Sequence, residues 1–222
     1  MTMTTWDWPL FDLLNFNGGA VMDAVMSAVS GVAMWVPLYI LIIYMVWRAY
    51  SWRGVVVLLL SVGVAMGLAD MVAGIFKHSG LLKDVWATFP ARLRPMFTEE
   101  LSNVHVVSYG HGEFGTVSAH AATIVALALL TSMVVRVKWL RVMMIAVAIL
   151  VCYSRIYLAC HFPQDILLGT LVGLVSGFIG AKLFGFIIRR WSLHTLFSRS
   201  VKMCYRELWR IFLFFVNKVS KK

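Results

Sequence analysis

A histidine and a carboxylate four residues apart form the most informative polar pair of the sequence. His161 lies in the segment SRIYLACHFPQD, and Asp165 follows it with Pro163 between them. Proline fits the first turn of a helix, because the backbone N–H that it lacks has no helical partner there. A carboxylate can accept a hydrogen bond from one imidazole nitrogen, which fixes the tautomer and leaves the other nitrogen to attack an electrophile. The pair is therefore suited to nucleophilic catalysis.

A second histidine and three cations extend this chemistry to phosphate. His120 lies in VSAH, just behind Ser118, at the start of a predicted helix, where backbone N–H groups favour anions. Lys77, Arg94 and Arg155 are cations on the side of the chain where basic residues are scarce. Taken singly, such cations extend to lipid head groups. Converging on one pocket, they neutralise a phosphate and the charge that develops as phosphorus becomes five-coordinate.

The order of these residues follows three motifs, and on them the chain resembles the type 2 phosphatidic acid phosphatase superfamily of membrane lipid phosphatases. The fold of that family is shared with bacterial acid phosphatases and vanadium haloperoxidases. Its third motif, S-R-x5-H-x3-D, is matched at every defined position from Ser154 and Arg155 through His161 to Asp165. The resemblance covers roughly residues 11–188.

The other two motifs of the family are only partly matched. The second, usually P-S-G-H, appears as VSAH and retains Ser118 and His120. The first, K-x6-R-P, retains the Arg-Pro pair at Arg94, but no lysine lies seven residues before it. We assign the lysine to Lys77, which closes the second predicted span, and this choice implies an insertion. Lys83 is the alternative, and we interpret it as a solvated loop charge.

The resemblance implies a role for each motif residue. His161 is expected to take the phosphoryl group onto nitrogen, and Asp165 is expected to orient it. His120 is expected to protonate the leaving lipid oxygen and then to activate the water that releases phosphate. No metal or other cofactor is expected. The phosphate oxygens are expected to be held by Lys77, Arg94, Ser118 and Arg155, together with the backbone N–H of Ala119.

Other classes of protein fit parts of the same pattern. A non-enzymatic transporter or scaffold would use Asp70, Arg155 and Lys182 as a polar path through the membrane. An acyltransferase with a His-Asp pair usually has four residues between the two, where this chain has three. A haloperoxidase would bind vanadate in the same pocket. A membrane metalloenzyme would draw zinc ligands from His78, His105, His111, His120, His161, Glu113 and Asp165, although no HExxH sequence occurs.

The elements that position these residues are predicted to be membrane helices. The chain has 222 residues, of which 61% are apolar and 14% are charged, and this is too apolar for a soluble domain. The predicted fold is all-α, a polytopic membrane helical bundle of five to six transmembrane helices. An interfacial segment precedes the bundle, a C-terminal amphipathic basic helix follows it, and whether residues 9–30 or 205–219 cross stays open. The predicted spans are residues 20–47, which can split into a shallow piece and a span, then 54–76, 119–135, 142–160 and 166–188.

The charge distribution predicts the orientation of the chain. The net charge of +10 lies between apolar segments, so it indicates topology and not nucleic-acid binding. Five spans place fourteen Lys and Arg residues on one side and five on the other, and the richer side is expected in the cytoplasm. No Lys or Arg precedes Arg48, so no cleaved signal peptide is expected. We predict a membrane-embedded lipid phosphatase domain at 1–190 and a basic cytoplasmic tail at 191–222.

A pocket at the outer boundary of the membrane predicts the partners. The site would face the periplasm or exterior of a bacterial inner membrane, with the C-terminus in the cytoplasm. Its substrate would be a phosphorylated membrane lipid, and candidates are phosphatidylglycerol phosphate, phosphatidic acid, undecaprenyl pyrophosphate and lipid A. The stretch VHVVSYGHGEFGTVSAHA also resembles envelope phosphatases of Bacteroidetes-type bacteria, some of which act on lipid A. The sequence indicates no oligomeric state.

Overall fold

The chain folds into a bundle of α-helices, seen in a computed structural model that describes residues 6–82, 84–85, 91–108 and 112–191. Lys83, His111 and the predicted C-terminal amphipathic helix lie outside these residues. Among the described residues there is no strand, only an isolated bridge between Leu93 and Phe114. The predicted all-α membrane bundle is confirmed. Its helices are α1 (Trp8–Leu14), α2 (Gly19–Ser30), α3 (Val36–Ile75), α4 (Ala119–Val135), α5 (Lys138–Tyr157) and α6 (Pro163–Arg190).

Three helical stretches of the described chain are long and apolar enough to cross a membrane, namely Ala33–Ile75, Lys138–Tyr157 and Pro163–Arg190. Helices α2 and α4 are apolar but shorter. Large aliphatic side chains such as Val142 and Leu171 are exposed on the outside of the bundle, where lipid can cover them. The protein is therefore polytopic, and the number of five to six crossings stays a prediction.

Helix α3 is a hairpin of two helices and not one long rod. Tyr39 and Met66 line the same cavity, although a straight helix would hold them about 40 Å apart. The chain reverses at Ser51, whose φ of 64° and ψ of −180° are not helical. The reversal lies between the predicted spans 20–47 and 54–76, and Gly31 splits the first of these into α2 and the first half of α3. Tyr50, next to the reversal, packs on Phe184 near the far end of α6.

Glycines on α6 let this helix approach the backbone of α4. A Cβ atom added at Gly169, Gly173 or Gly177 would lie 2.5, 2.5 or 2.6 Å from a carbonyl oxygen of α4 or its N-cap residue. Small residues at such spacing allow close packing in membranes, where burial of apolar surface drives association only weakly. The contact brings the two helix N-termini together, and Ser118 N–H donates to the Asp165 carbonyl at 3.0 Å.

The N-terminal helices close one end of the bundle. The Asn15 side chain donates to the Tyr157 carbonyl at 2.7 Å and accepts the His105 N–H at 2.8 Å. Asp23 on α2 accepts the Tyr157 hydroxyl at 2.6 Å and lies 2.8 Å from the His105 ring. Helix α1 has seven residues, which is too short to cross, and it buries Phe11. These bonds fix α1 and α2 over the end of α5.

Candidate active site

A short antiparallel pairing within the loop between α3 and α4 lies beside the turn between α5 and α6. Arg94 N–H donates to the Glu113 carbonyl at 2.9 Å, and Gly115 N–H donates to the Arg92 carbonyl at 2.8 Å. Beside this pairing, Met96 N–H donates to the Ala159 carbonyl at 3.3 Å. The first motif therefore lies against the third, with the residues just before the second motif beside it.

His161 is held in one tautomer inside this arrangement. Its ring is 1% exposed, and Nδ1 lies 2.9 Å from the Gly115 carbonyl and 3.4 Å from Asp165 Oδ2. Both neighbours accept hydrogen bonds, so Nδ1 carries the hydrogen and Nε2 keeps its lone pair. Asp165 Oδ2 also accepts the Phe162 N–H at 2.9 Å. The sequence predicted orientation by Asp165, and the structure places the Gly115 carbonyl even closer.

The environment of His161 also favours its neutral form. Burial, followed by the charges of Lys77, Arg94 and Arg155, lowers the pKa of His161 well below 6.5. At neutral pH the imidazole therefore carries no positive charge, and its Nε2 can act as a nucleophile.

The three predicted cations converge around this histidine. Arg94 is buried, and its guanidinium donates to the Phe114 and Cys160 carbonyls, each at 3.2 Å. Burial, then the charge of Arg94, lowers the pKa of Lys77 to about 8, and Arg155 acts in the same direction. Arg155 donates to the Ser30 hydroxyl, while its buried Nε has no acceptor among the described residues. A buried N–H without an acceptor is suited to an incoming oxyanion.

The second motif opens helix α4. Ser118 is fully buried and caps the helix, because its Oγ accepts the Ala121 N–H at 3.3 Å. Ala119 is the first helical residue. His120 follows and is exposed. It lines a cavity of about 80 Å³ together with Trp35, which precedes α3, and with residues of α2, α3 and α5. The motif thus presents a helix N-terminus and an exposed histidine at the same end of the bundle.

Comparison with known proteins identifies the family. The PAP2 superfamily sequence profile matches residues 58–189, more than half of the chain. The chain belongs to the PAP2 superfamily. It is 30% identical over 183 residues to a lipid A 4'-phosphatase of Bacteroides thetaiotaomicron, covering 80% of this chain and 76% of that one. A lipid A 4'-phosphatase of Porphyromonas gingivalis is 28% identical over 182 residues, covering 82% and 74%.

The fold of this PAP2 protein also matches a solved structure. The crystal structure of Aquifex aeolicus LpxE aligns with a TM-score of 0.59 at 21% identity, covering 81% of this chain and 96% of that one. The predicted membership of the type 2 phosphatidic acid phosphatases is confirmed, as is the prediction of a lipid phosphatase.

Two features of the PAP2 site were not predicted from the sequence. A Cβ atom at Gly115 would lie 2.9 Å from Arg94 Cγ and 3.3 Å from His161 Nδ1, so only glycine fits between them. In the sequence, the one sign of this role of Gly115 is that a glycine occurs shortly before the second motif. Arg92, two residues before Arg94, is buried in an ion pair with Asp7. Asp7 is the N-cap residue of α1, and no sequence spacing links that position to the loop that contains Arg92.

The other histidines that a metalloenzyme would use are spread over different partners. His78 packs near the Phe114 ring at 6.0 Å, and His105 pairs with Asp23. Within the described ranges, no three His, Cys, Asp or Glu side chains come together as metal ligands. The described residues therefore place three cations around His161, and no group of three zinc ligands occurs among them.

Proposed function

We propose that this PAP2 enzyme hydrolyses a phosphate monoester or pyrophosphate on a lipid head group through a phosphohistidine intermediate. The observation that carries the proposal is the environment of His161. Its Nδ1 is tied to two acceptors, and three cations surround it, two of them buried arginines. A neutral nucleophile beside concentrated positive charge is suited to attack on phosphorus.

The first half of the reaction transfers the phosphoryl group to the protein. His161 Nε2 forms a bond to phosphorus while the bond from phosphorus to the lipid oxygen breaks. His120 in its protonated form donates a proton to that departing oxygen, so the lipid leaves as an alcohol or, from a pyrophosphate, as a monophosphate. The Nδ1–H bonds to Gly115 and Asp165 support the positive charge that the phosphorylated ring acquires.

The second half regenerates the free histidine. Water attacks phosphorus, His120 takes a proton from it, and the bond between phosphorus and Nε2 breaks to release inorganic phosphate. The exposure of His120 supports this role, since the residue needs access to water.

The cations and the start of α4 would hold the phosphate oxygens in both steps. Lys77, Arg94 and Arg155 supply charge, and the Ala119 N–H supplies a helix N-terminal donor. The Ser118 oxygen already accepts a bond from its own helix, so its O–H is the part left to donate to phosphate.

For the substrate we propose lipid A carrying a 4'-phosphate. Two relatives of that name align over about 80% of this chain. We place the protein in a bacterial inner membrane with the site facing the periplasm, because the basic residues gather at the end of the bundle away from the site. Undecaprenyl pyrophosphate, phosphatidylglycerol phosphate and phosphatidic acid are the competing substrates.

A lipid panel tests both parts of the proposal. Protein purified in detergent would be assayed for phosphate release from the four lipids in EDTA, with His161→Gln as the inactive control. We expect turnover in EDTA, inhibition by vanadate, and the highest kcat/KM on lipid A, with mass spectrometry locating the lost phosphate at the 4' position. Activity that disappears in EDTA and returns with zinc or magnesium would instead favour the metalloenzyme. A tenfold preference for another lipid would overturn the substrate alone.

A further inference from the structure

We infer that Asp7 and Arg92 form a buried ion pair that positions the His161–Asp165 pair for the proposed phosphoryl transfer. The Arg92 guanidinium donates to both oxygens of Asp7, at 2.7 and 2.9 Å. Asp7 is fully buried and Arg92 is 7% exposed. The inference rests on the proposed function, because it concerns the geometry of the proposed nucleophile.

The ion pair contacts the chain directly after His161, at Phe162 and Gln164. Arg92 lies over the Phe162 ring, with its guanidinium carbon 3.7 Å from the ring centroid. Asp7 Oδ2 accepts the Gln164 N–H at 3.0 Å in the first turn of α6. The two charged side chains therefore hold the residues that immediately follow His161.

Arg92 interacts with both residues that accept the His161 Nδ1 hydrogen, Gly115 and Asp165. Its carbonyl accepts the Gly115 N–H at 2.8 Å, and the Gly115 carbonyl is one acceptor. Its guanidinium Nη1 lies 3.9 Å from Asp165 Oδ1, while the other oxygen, Oδ2, faces His161. Arg92 thus stands behind the carboxylate and favours the orientation in which Oδ2 points at the histidine.

Arg92 differs from the proposed phosphate ligands in how its donors are used. Two guanidinium nitrogens are committed to Asp7, and Nη1 also lies 3.4 Å from Gln164 Oε1. We therefore assign Arg92 and Asp7 as positioning residues and not as ligands of the substrate. Their loss should slow the chemical step and leave substrate binding nearly intact.

Kinetics of four variants test the assignment. We expect Arg92→Gln and Asp7→Asn to lower kcat about tenfold to a hundredfold with KM within about threefold, since misplacement of a nucleophile costs rate more than binding. Compared with Arg92→Gln, Arg92→Lys should recover part of kcat, because lysine restores the positive charge but not the bidentate hydrogen bond to Asp7. Asp12→Asn is the matched control. Asp12 lies on α1, the helix that Asp7 caps, and its side chain is exposed, so this variant should behave like wild type.

A double-mutant comparison separates positioning from a general loss of structure. In an Asp165→Asn background, Arg92→Gln should cost clearly less than it does in the wild-type protein, because one residue through which it acts has already changed. Independent, fully multiplying losses would overturn the inference. If Arg92→Gln fails to fold, the charge-balanced Asp7→Asn/Arg92→Gln protein takes its place, since it leaves no lone buried charge.

A spectroscopic readout makes the test independent of turnover. In protein labelled with nitrogen-15 at histidine, the His161 Nδ1–H resonance should move and exchange faster with water in Arg92→Gln, and stay in place in Asp12→Asn. An unchanged resonance in Arg92→Gln would overturn the positioning role whatever the activity. Failure of the wild-type enzyme to release phosphate from any lipid, with the resonance behaving as expected, would overturn the proposed function alone.

Discussion

At the scale of single residues, the chemistry depends on which nitrogen of His161 carries hydrogen. The Gly115 carbonyl and Asp165 both lie at Nδ1, and burial with nearby cations keeps the ring neutral. A carbonyl and a carboxylate together fix the tautomer more firmly than a carboxylate alone, because the carbonyl cannot take up a proton at any accessible pH. The proposed nucleophile, His161 Nε2, would then keep its free lone pair at mildly acidic pH.

Replacing the two histidines should separate their roles. His161→Gln should abolish turnover on every substrate while folding and membrane insertion persist, because only the covalent step is lost. His120→Gln should cost about a hundredfold to ten-thousandfold on a monoester. It should cost less on a pyrophosphate, whose leaving group needs less protonation. Initial rates measure the activity of both variants, and circular dichroism measures their folding. A His161→Gln enzyme that retains a tenth of wild-type activity would show that His161 is not the nucleophile.

The pH dependence should report the charge on Lys77. Its pKa of about 8 means that the ammonium is present below pH 8 and lost as pH rises through that value. We therefore expect kcat/KM to fall on the alkaline side with a midpoint near pH 8, and Lys77→Arg to move that fall upward, because a guanidinium stays charged. A profile of kcat/KM from about pH 6 to about pH 10 checks this. If kcat/KM falls at the same alkaline pH in the wild type and in Lys77→Arg, a group other than Lys77 titrates at that pH.

Alanine substitutions should decide which lysine belongs to the first motif. Lys77→Ala removes a charge-assisted hydrogen bond at a partly desolvated site, which costs about 2 to 4 kcal/mol, or roughly thirtyfold to a thousandfold in rate. Lys83→Ala should stay within a few-fold of wild type. Asp70→Asn should have an intermediate effect, since the charge of Asp70 acts on Lys77. The reverse order for the two lysines would place Lys83 in the site.

Motif spacing predicted which of the candidate site residues lie together better than it predicted the residues that support them. Arg155, His161 and Asp165 share one segment, so a single turn places them together. Asp7 reaches the same site through its carboxylate and Gly115 through its backbone, both from distant parts of the chain, and such contacts leave no sequence period or spacing. A polar residue near the start of a membrane protein looks like an interfacial charge until its partner is known.

At the scale of helices, the α4–α6 contact sets the distance between the second and third motifs. Glycines four residues apart on α6 lie against the carbonyls of Ser118, Ala122 and Ala126. A side chain in this row would push α6 away and separate Ser118 from Asp165, whose backbones are hydrogen bonded.

A leucine in the glycine row should therefore damage stability and activity together. Gly173→Leu should lower the free energy of unfolding by about 1 to 3 kcal/mol through overpacking, and lower kcat because the two helix starts move apart. Gly67→Leu is the matched control, because a Cβ atom at Gly67 of α3 meets open space. Thermal unfolding in detergent and phosphate release measure both effects. Equal behaviour of the two variants would mean that α6 can shift without cost.

Helix boundaries were partly predictable from hydropathy. The start of α4 at Ala119 and its end at Val135 match the uncharged run from 119 to 135. The hairpin inside α3 was predicted only as a gap between two spans, because Ser51 carries no helix-breaking signal of its own. Its positive φ is visible only in the structure.

At the scale of the whole molecule, the two ends of the bundle differ in composition. The site end carries Lys77, Arg94 and Arg155 among acidic residues, whereas the described part of the opposite end carries basic residues such as Arg48, Lys138 and other arginines. The positive-inside rule therefore predicts that the site faces away from the cytoplasm, and this orientation stays a prediction.

Cysteine labelling should establish this orientation. In a protein whose native cysteines are replaced, a membrane-impermeant reagent added from outside should label Glu100→Cys and leave Lys138→Cys unlabelled. Both side chains are exposed, so accessibility within the fold is matched. A permeant reagent should label both and serves as the control. Outside labelling of Lys138→Cys would invert the arrangement and move the site to the cytoplasm.

The bond between Asp7 and the Gln164 N–H joins positions 157 residues apart, and this has a consequence for biogenesis. Asp7 precedes α1, and Gln164 is translated only after the five helices α1 to α5 have been made. The segment that carries Asp7 must therefore wait for its partner until α6 emerges, and until then the proposed nucleophile lacks its supports. A nascent chain is therefore surrounded by phosphorylated lipids that it cannot yet cleave, and enzymatic competence arrives as one late event of membrane insertion.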